Sequence, residues 1–213
     1  MNKLMFSLIA SLFSLSVFAQ THLYENPNFE KIAKDHKIIA IIPFESSVTL
    51  RPKQMKNIST EQLDKMEKSE GESVQMGFYS WFLKREKRGQ LTVKVQDPNK
   101  TNALLKRNGI TYENMKDYTP EEIAKLLEVD ALVSGTFETN KPMSEGASIV
   151  LGALIGFWGS TNKAVMNMYI HNAADGEVLI NYNKALNGTI GSSTEDLINI
   201  LLRKASRRIA YTE

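Results

Sequence analysis

Few residues in this chain have types and spacings that could perform chemistry. The three histidines, His22, His36 and His171, lie far apart in the sequence, with no partner at metal-site spacing. A zinc site needs three or four convergent ligands, so we expect no bound metal ion. The chain contains no cysteine. This excludes thiol catalysis and disulfide bonds, and it predicts that no lipid is attached through an N-terminal cysteine.

Asp130 is the carboxylate best placed for a catalytic role, because it stands at the start of a predicted strand. A carboxylate in that position more commonly caps a turn. The sequence contains no G-x-S-x-G, P-loop or dinucleotide-binding motif. We therefore predict a protein that is not an enzyme and needs no cofactor. An envelope enzyme that uses Asp130 or His171 is the alternative from another class.

Two groups of cations end predicted helices. The first comprises Lys84, Arg85, Lys87 and Arg88, and the second comprises Arg203, Lys204, Arg207 and Arg208. Cations at a helix C-terminus interact favourably with the helix dipole, so solvated helix ends are the simplest explanation. The alternative is contact of the second group with an anionic surface such as lipid head groups or lipopolysaccharide.

The whole chain has a formal charge of only +2, which does not favour nucleic-acid binding.

The most unusual segment is an apolar, glycine-rich insert at residues 144–162. It is apolar from Ala147 to Trp158 except for one serine, and Gly152 and Gly156 have the G-x-x-x-G spacing that allows close backbone approach in membrane helices. The run is shorter than the roughly 20 residues of a membrane-spanning helix. Burial in the core competes with contact to a subunit, a partner or a membrane. We predict contact, through Ile149, Leu151, Gly152, Leu154, Gly156, Phe157 and Trp158.

The N-terminus predicts export. Lys3 precedes an apolar run from Leu4 to Phe18, and Val17 and Ala19 place small residues at a cleavage site. These features are typical of a cleaved secretory signal at residues 1–19. An uncleaved anchor is the alternative. Cleavage would leave a chain long enough for one domain with a substantial core.

The hydrophobic pattern after residue 19 predicts strands and helices that alternate early and antiparallel strands that follow late. An N-terminal extension at residues 20–36 contains a short helix, Pro27–Asp35, and the domain proper extends over 37–213. Strands are predicted at Lys37–Phe44, Val48–Leu50, Leu91–Gln96 and Val129–Glu138, with a hairpin of Ala164–His171 and Glu177–Leu186. Helices are predicted from Ser59 or Thr60 to Arg88, from Pro98 to Asn108, after Thr119, and from Ser193 to Tyr211. The order predicts a single three-layer α/β sandwich with a mixed sheet, a late β-hairpin and a C-terminal helix.

Three of these segments resemble a known superfamily. "IIAIIPF" (38–44) resembles the first strand of the TolB amino-terminal-like fold, and "LLEVDALVSGTFE" (126–138) resembles a later strand of that fold. "IHNAADGEVLI" (170–180) is similar to the hairpin of CsgG-like envelope proteins, with Asn172 in place of the usual aspartate. The glycine-rich insert also resembles a segment of GNA-type periplasmic lipoproteins, although the lipid-bearing cysteine of those proteins is missing here.

The resemblance implies a periplasmic protein that acts by binding, in envelope assembly, secretion or cell-wall control. We expect a homo-oligomer or a complex with an envelope partner, with possible peripheral contact to the outer membrane. A CsgG-like secretion-channel subunit is the alternative within this class. No pair of long amphipathic membrane hairpins is visible in the sequence, and this departs from the CsgG pattern.

Overall fold

The computed structural model describes residues 21–50, 52–56, 58–140, 163–187, 194–209 and 211. Within these ranges, seven strands form one sheet. They are β1 (Thr21–Glu25), β2 (Ile38–Ile41), β3 (Glu45–Val48), β4 (Lys94–Val95), β5 (Ala131–Thr139), β6 (Lys163–Asn172) and β7 (Val178–Asn187). The spatial order is β1-β7-β6-β5-β2-β4, and β3 pairs with the far end of β5.

The sheet is mixed, as the sequence predicts. The pairs β2–β4, β2–β5 and β3–β5 are parallel. The pairs β5–β6, β6–β7 and β1–β7 are antiparallel. The run Ile39–Ile42 is buried along its whole length, because β2 is a central strand with helices over both faces.

Six α-helices lie in the described ranges and complete three layers. They are α1 (Phe29–Ala33), α2 (Pro52–Met55), α3 (Thr60–Glu86), α4 (Pro98–Arg107), α5 (Pro120–Leu127) and α6 (Thr194–Ser206), with a 3-10 helix at Met115–Asp117. The larger core cluster joins α1, α3 and α6 to one face of the sheet. A smaller cluster joins α4 and α5 to the other face.

Local sequence signals determine where the long helices begin. The Ser59 hydroxyl accepts a hydrogen bond from the backbone of Gln62, and the Gln62 side-chain oxygen accepts one from the backbone of Ser59; Thr119 and Glu122 form the same capping box. Asp97 caps α4 just before a proline at the first helical position. The predicted starts of these three helices are therefore confirmed.

The hairpin of β6 and β7 is confirmed, with a loop whose polar side chains fix the turn. Asn172 donates to the Asp175 carboxylate at 2.9 Å, and Asp175 accepts from the backbone of Glu177 at 3.0 Å. Gly176 has a φ of +71°, a conformation that glycine adopts without steric cost.

Three elements differ from the prediction. The predicted strand Leu91–Gln96 is reduced to β4, because Thr92 donates its backbone hydrogen bond to Tyr211 instead of to a strand. The strand predicted at Val48–Leu50 lies earlier, at β3, where Ser46 and Val48 point inward. Residues 20–36 also contribute β1, which the sequence does not predict, and this strand pairs with β7 at the edge of the sheet.

Candidate functional site

The predicted contact segment lies outside the described residues, as do Ile149, Leu151, Gly152, Leu154, Gly156, Phe157 and Trp158. The structure does describe the two positions that flank it. The backbone of Lys163 donates to the side-chain oxygen of Asn140 at 2.8 Å, and Asn140 donates its own backbone N–H to the Lys163 carbonyl at 3.4 Å. Asn140 and Lys163, which flank residues 141–162, are therefore adjacent at one end of β5 and β6.

The four predicted cations of the last helix are placed at the C-terminal end of α6. Arg203, Lys204, Arg207 and Arg208 are all exposed. The opposite side of this helix carries Leu201, Ala205 and their neighbours into the core. Arg203 and Lys204 lie in the last turn of α6, and Arg207 and Arg208 follow it, where their backbone N–H groups donate to the carbonyls of Lys204 at 3.3 Å and Ala205 at 2.9 Å.

Two further cations, one from α3 and one from β7, lie near these four side chains. The sequence did not predict that either of them lies beside α6. Arg85, near the end of α3, is only 8% exposed, and its Nε donates to the Ser206 hydroxyl at 3.2 Å. Lys184, in the middle of β7, is only 4% exposed, and its ammonium donates to the Thr21 hydroxyl of β1. Sequence reasoning read Arg85 only as part of a helix end and gave Lys184 no role, because the contacts that bring them here cross more than a hundred residues.

We refer to Arg85, Arg88, Lys184, Lys204, Arg207 and Arg208 as the cationic cluster. Burial lowers the pKa of Arg85, and the charges of Arg207 and Arg88 lower it further. Burial likewise lowers the pKa of Lys184, assisted by the charges of Lys204 and Arg208. The hydrogen bond between Arg85 and Ser206 joins α3 to the end of α6, and β7, which carries Lys184, also contacts α6.

Asp130, the candidate catalytic carboxylate, supports the start of the central strand. Its Oδ2 accepts hydrogen bonds from the backbone of Lys37 at 2.7 Å and of Ile38 at 2.9 Å. Both donors lie at the entry to β2, so the carboxylate ties the start of β5 to the start of β2. Asp130 therefore links two strands, whereas its position in the sequence favours the capping of a turn.

The histidines occupy three separate environments. His22 is exposed on β1. The Nδ1 of His171 lies 3.2 Å from the carbonyl oxygen of Gly176 in the hairpin loop. The Nδ1 of His36 lies 2.6 Å from the hydroxyl of Tyr211. Among the described residues, no group of three metal-binding side chains is arranged to hold an ion.

His36 and Tyr211 form a half-buried polar pair next to Asp130. Burial lowers the pKa of His36 from its ordinary value of 6.5, although the charge of Asp130 acts in the opposite direction. Burial raises the pKa of the Tyr211 phenol. The neutral imidazole fits this contact by accepting the phenolic hydrogen. Phe29 packs edge-on against the Tyr211 ring, with centroids 5.1 Å apart, and so connects the pair to the core.

A cleft of about 530 Å³ opens where β2 ends and the chain turns into β3. Clefts at the carboxyl ends of parallel strands are common ligand sites. This cleft carries three groups of polar side chains, namely the carboxylates of Glu45, Asp64, Glu67 and Glu113, the phenols of Tyr112, Tyr118 and Tyr169, and the ammonium of Lys116. Carboxylates outnumber the single cation, so the lining suits a neutral or cationic polar molecule better than an anion.

Tyr112 organises the wall of this cleft. Its hydroxyl accepts the backbone hydrogen bond of Ser46 at 2.7 Å and lies 3.1 Å from the Phe44 carbonyl oxygen. Burial raises the pKa of this phenol. Glu67 accepts from the backbone of Val48 at 3.0 Å. Sequence reasoning missed the cleft, because its lining comes from separate elements and no single motif marks it.

Within the described ranges, no helix combines the length and apolar composition needed to cross a bilayer.

Comparisons with known proteins give structural likeness without sequence relationship. No protein-family model matches the chain, and no curated protein matches its sequence. Among solved structures, it is similar to the PelC dodecamer from Paraburkholderia phytofirmans at 10% identity and a TM-score of 0.46, over 89% of this chain and 96% of that one. The lipoprotein GNA1162 from Neisseria meningitidis is similar at 13% identity and a TM-score of 0.44, over 81% of this chain and 96% of that one.

The C-terminal domain of LpoB from Salmonella enterica is also similar, at 9% identity and a TM-score of 0.32, over 75% of this chain and 93% of that domain. All three are envelope-related proteins. The fold places the chain in the class of three-layer α/β sandwiches with a mixed sheet. Membership of the TolB amino-terminal-like or CsgG-like superfamily stays a prediction.

Proposed function

We propose that the protein is a non-catalytic binding and assembly component of the bacterial cell envelope. It acts in the periplasm, after export, by self-association or by docking on an outer-membrane or cell-wall partner. The contact is made through residues 147–159. This proposal unites the predicted signal, the apolar glycine-rich composition of the segment and its attachment to the fold.

The observation that carries the proposal is the pairing of Asn140 with Lys163. A segment whose two ends meet at one end of two paired strands can vary in length and composition without disturbing the strands that it connects. The sheet and its helices therefore serve as a rigid support, and the apolar segment supplies the contact. Apolar segments that are not used in a core usually mark a partner or membrane surface.

The positions of Asp130 and His171 support a non-catalytic role. One oxygen of Asp130 already accepts two backbone hydrogen bonds. His171 lies against a loop carbonyl beside its own hairpin. These contacts give Asp130 and His171 structural roles, so a catalytic role is not needed to explain why either residue is there.

Substitution of Gly152 and Gly156 by leucine tests the contact. We expect the double variant to lose assembly, measured by sedimentation velocity, and retention in carbonate-washed membranes, measured by fractionation and blotting. Its urea unfolding midpoint should stay close to that of the unaltered protein, because the sheet does not depend on these glycines. Ala153→Leu is the matched control, since it adds similar bulk outside the G-x-x-x-G spacing.

Two results would oppose the proposal. If the double variant assembles and fractionates like the unaltered protein, the segment makes no contact that depends on its glycines. If the double variant instead loses its folded structure, the segment is part of the core. Recovery of the unaltered protein as a monomer in the soluble periplasm would exclude both self-association and membrane contact.

A further inference from the structure

We propose that the cationic cluster is a binding site for the phosphate groups of anionic membrane lipids. The inference deepens the proposed function, since it names the lipid chemistry by which the domain meets a membrane. It depends on side chains that the structure describes and makes no use of residues 141–162.

The cluster is assembled by tertiary structure. Arg85 reaches the end of α6 through its hydrogen bond to Ser206, whose hydroxyl in turn donates to the Arg203 carbonyl at 3.1 Å. Gly77 allows α3 and α6 to pack closely, because a Cβ there would overlap the Leu202 side chain. Lys184 approaches α6 from the sheet. Three elements thus bring their cations to one surface.

The hydrogen bonds that hold Arg85 and Lys184 in place do not neutralise their charges. The ion pair of Lys65 with Glu61 lies on an exposed turn of α3, far from the C-terminal end of that helix. The hydrogen-bond partners of Arg85 and Lys184 are the neutral hydroxyls of Ser206 and Thr21. Burying cations next to other cations is unfavourable unless an anion completes the site.

The helix dipole accounts for only part of the cluster. It favours the cations in the last turns of α3 and α6. Lys184, however, lies in the interior of a strand, where sheet dipoles are small. Arg85 is buried, whereas a cation that only complements a helix end can remain in water. The convergence of these two side chains on the same surface therefore needs a further reason.

Phosphate is the anion that this set of donors suits best. Arginine presents a planar fork that binds phosphate oxygens in pairs, and lysine adds a compact charge. A lipid source is favoured over a free anion because Leu23, on β1, is 39% exposed on the same face as Lys184. An exposed apolar side chain beside a cationic surface is typical of proteins that rest on anionic membranes.

The test compares binding of the purified full chain to vesicles of phosphatidylcholine alone and to vesicles that also contain phosphatidylglycerol. The variant is Lys204→Gln with Arg208→Gln, which removes two exposed cations beside Lys184 without touching the core. We expect it to bind anionic vesicles about tenfold more weakly than the unaltered protein. Binding of the unaltered protein should fall steeply with added salt.

The matched control is Lys106→Gln with Arg107→Gln. These two exposed cations end α4, on the opposite face of the sheet, so this variant has the same net charge and also loses charge from a helix end. It should bind anionic vesicles like the unaltered protein. Equal weakening in both variants would show that only net charge matters, and it would overturn the site.

Two further measurements are needed. The first identifies the source of the phosphate, and the second distinguishes failure of the lipid site from failure of the proposed function. Thermal stabilisation by inorganic phosphate, with no preference for anionic vesicles, would overturn the lipid assignment. Sedimentation velocity of the Lys204 and Arg208 variant should show unchanged assembly. If substitution of Gly152 and Gly156 leaves assembly unchanged, only the proposed function is contradicted. If the variant with Lys204→Gln and Arg208→Gln binds anionic vesicles normally, only the lipid site is contradicted.

Discussion

At the scale of single residues, polar side chains work mainly as structural connectors. Asp130 joins the starts of two strands, and Gln75 donates to the Ile41 carbonyl at 2.7 Å while it pairs with the Asn102 amide. Such contacts keep buried polar groups satisfied. The sequence favoured a turn-capping role for Asp130 and not a link between strands, because the partner of each side chain depends on residues many positions away.

His36 should make stability depend on pH. Its folded-state pKa is lowered by burial from an unfolded value near 6.5, so the folded protein binds fewer protons than the unfolded chain. The stabilisation is present above about pH 6.5 and is lost as the pH falls through the lowered folded-state pKa. His36→Gln should reduce this acid loss by up to about 1.4 kcal/mol per pH unit, measured by urea unfolding at successive pH values.

The groups that face His36 are Tyr211, Asp130, Asn172 and Asp35, and the last three oppose the effect of burial on its pKa. His22→Gln is the control, because His22 is exposed on β1. The same dependence on pH in the His36 variant and the unaltered protein would show that this imidazole is not protonated on unfolding in that range.

At the scale of elements, local signals predicted helix starts better than strands. The capping boxes of α3 and α5 lie within four consecutive residues each, so the sequence contains the whole signal. Strand β1 was missed because all five of its residues are exposed, and no apolar alternation marks it. The length of β4 was overestimated. The alternation of apolar and polar residues in Leu91–Gln96 does not reveal that the strand is paired on one side only.

Two glycines of α3 should respond differently to substitution by alanine. At Gly71 a Cβ would overlap the Phe44 carbonyl oxygen and lie 3.0 Å from the Tyr112 ring, and this backbone atom has little room to move. Gly71→Ala should lower the free energy of unfolding by roughly 1–3 kcal/mol. Gly77→Ala meets only the end of the Leu202 side chain and gains about 1 kcal/mol in helix propensity, so it should cost less.

Urea unfolding of both glycine variants gives the comparison directly. A smaller loss for Gly71→Ala than for Gly77→Ala would mean that α3 can move away from the β2–β3 turn. That result would also weaken the assignment of Tyr112 as the fixed wall of the cleft, because Gly71 sets how closely the helix approaches it.

At the scale of the whole molecule, the order of elements predicted the three-layer architecture. It did not predict the cationic cluster or the cleft. The cationic cluster depends on Arg85 reaching Ser206, 121 residues away in sequence, and on Lys184 reaching Thr21. The cleft likewise joins residues of the β2–β3 turn to α3 and to the loop that contains Tyr112. Periodicity predicts which face of an element is buried, whereas these sites depend on how the elements meet.

Removal of β1 should weaken the whole domain. A chain that begins at Asn26 lacks the ladder to β7 and the Thr21 contact of Lys184, so its free energy of unfolding should fall by on the order of 2 kcal/mol. Without β1, the edge of β7 would be exposed, and it should promote association of the shortened chain. Urea unfolding and light scattering measure the two effects.

A chain that begins at Gln20, the predicted start of the processed protein, is the control and should match the stability of the unaltered protein. An unchanged midpoint in the chain that begins at Asn26 would show that the edge strand contributes nothing to the stability of the sheet.

The pairing of β1 with β7 also orders events in time. Thr21 is among the first described residues to leave the ribosome, and its partner Lys184 follows 163 residues later. Closing so long a loop is slow and costs much chain entropy, so the sheet is completed only when almost the whole chain is available. Until those late residues are available, β1 cannot form its ladder to β7.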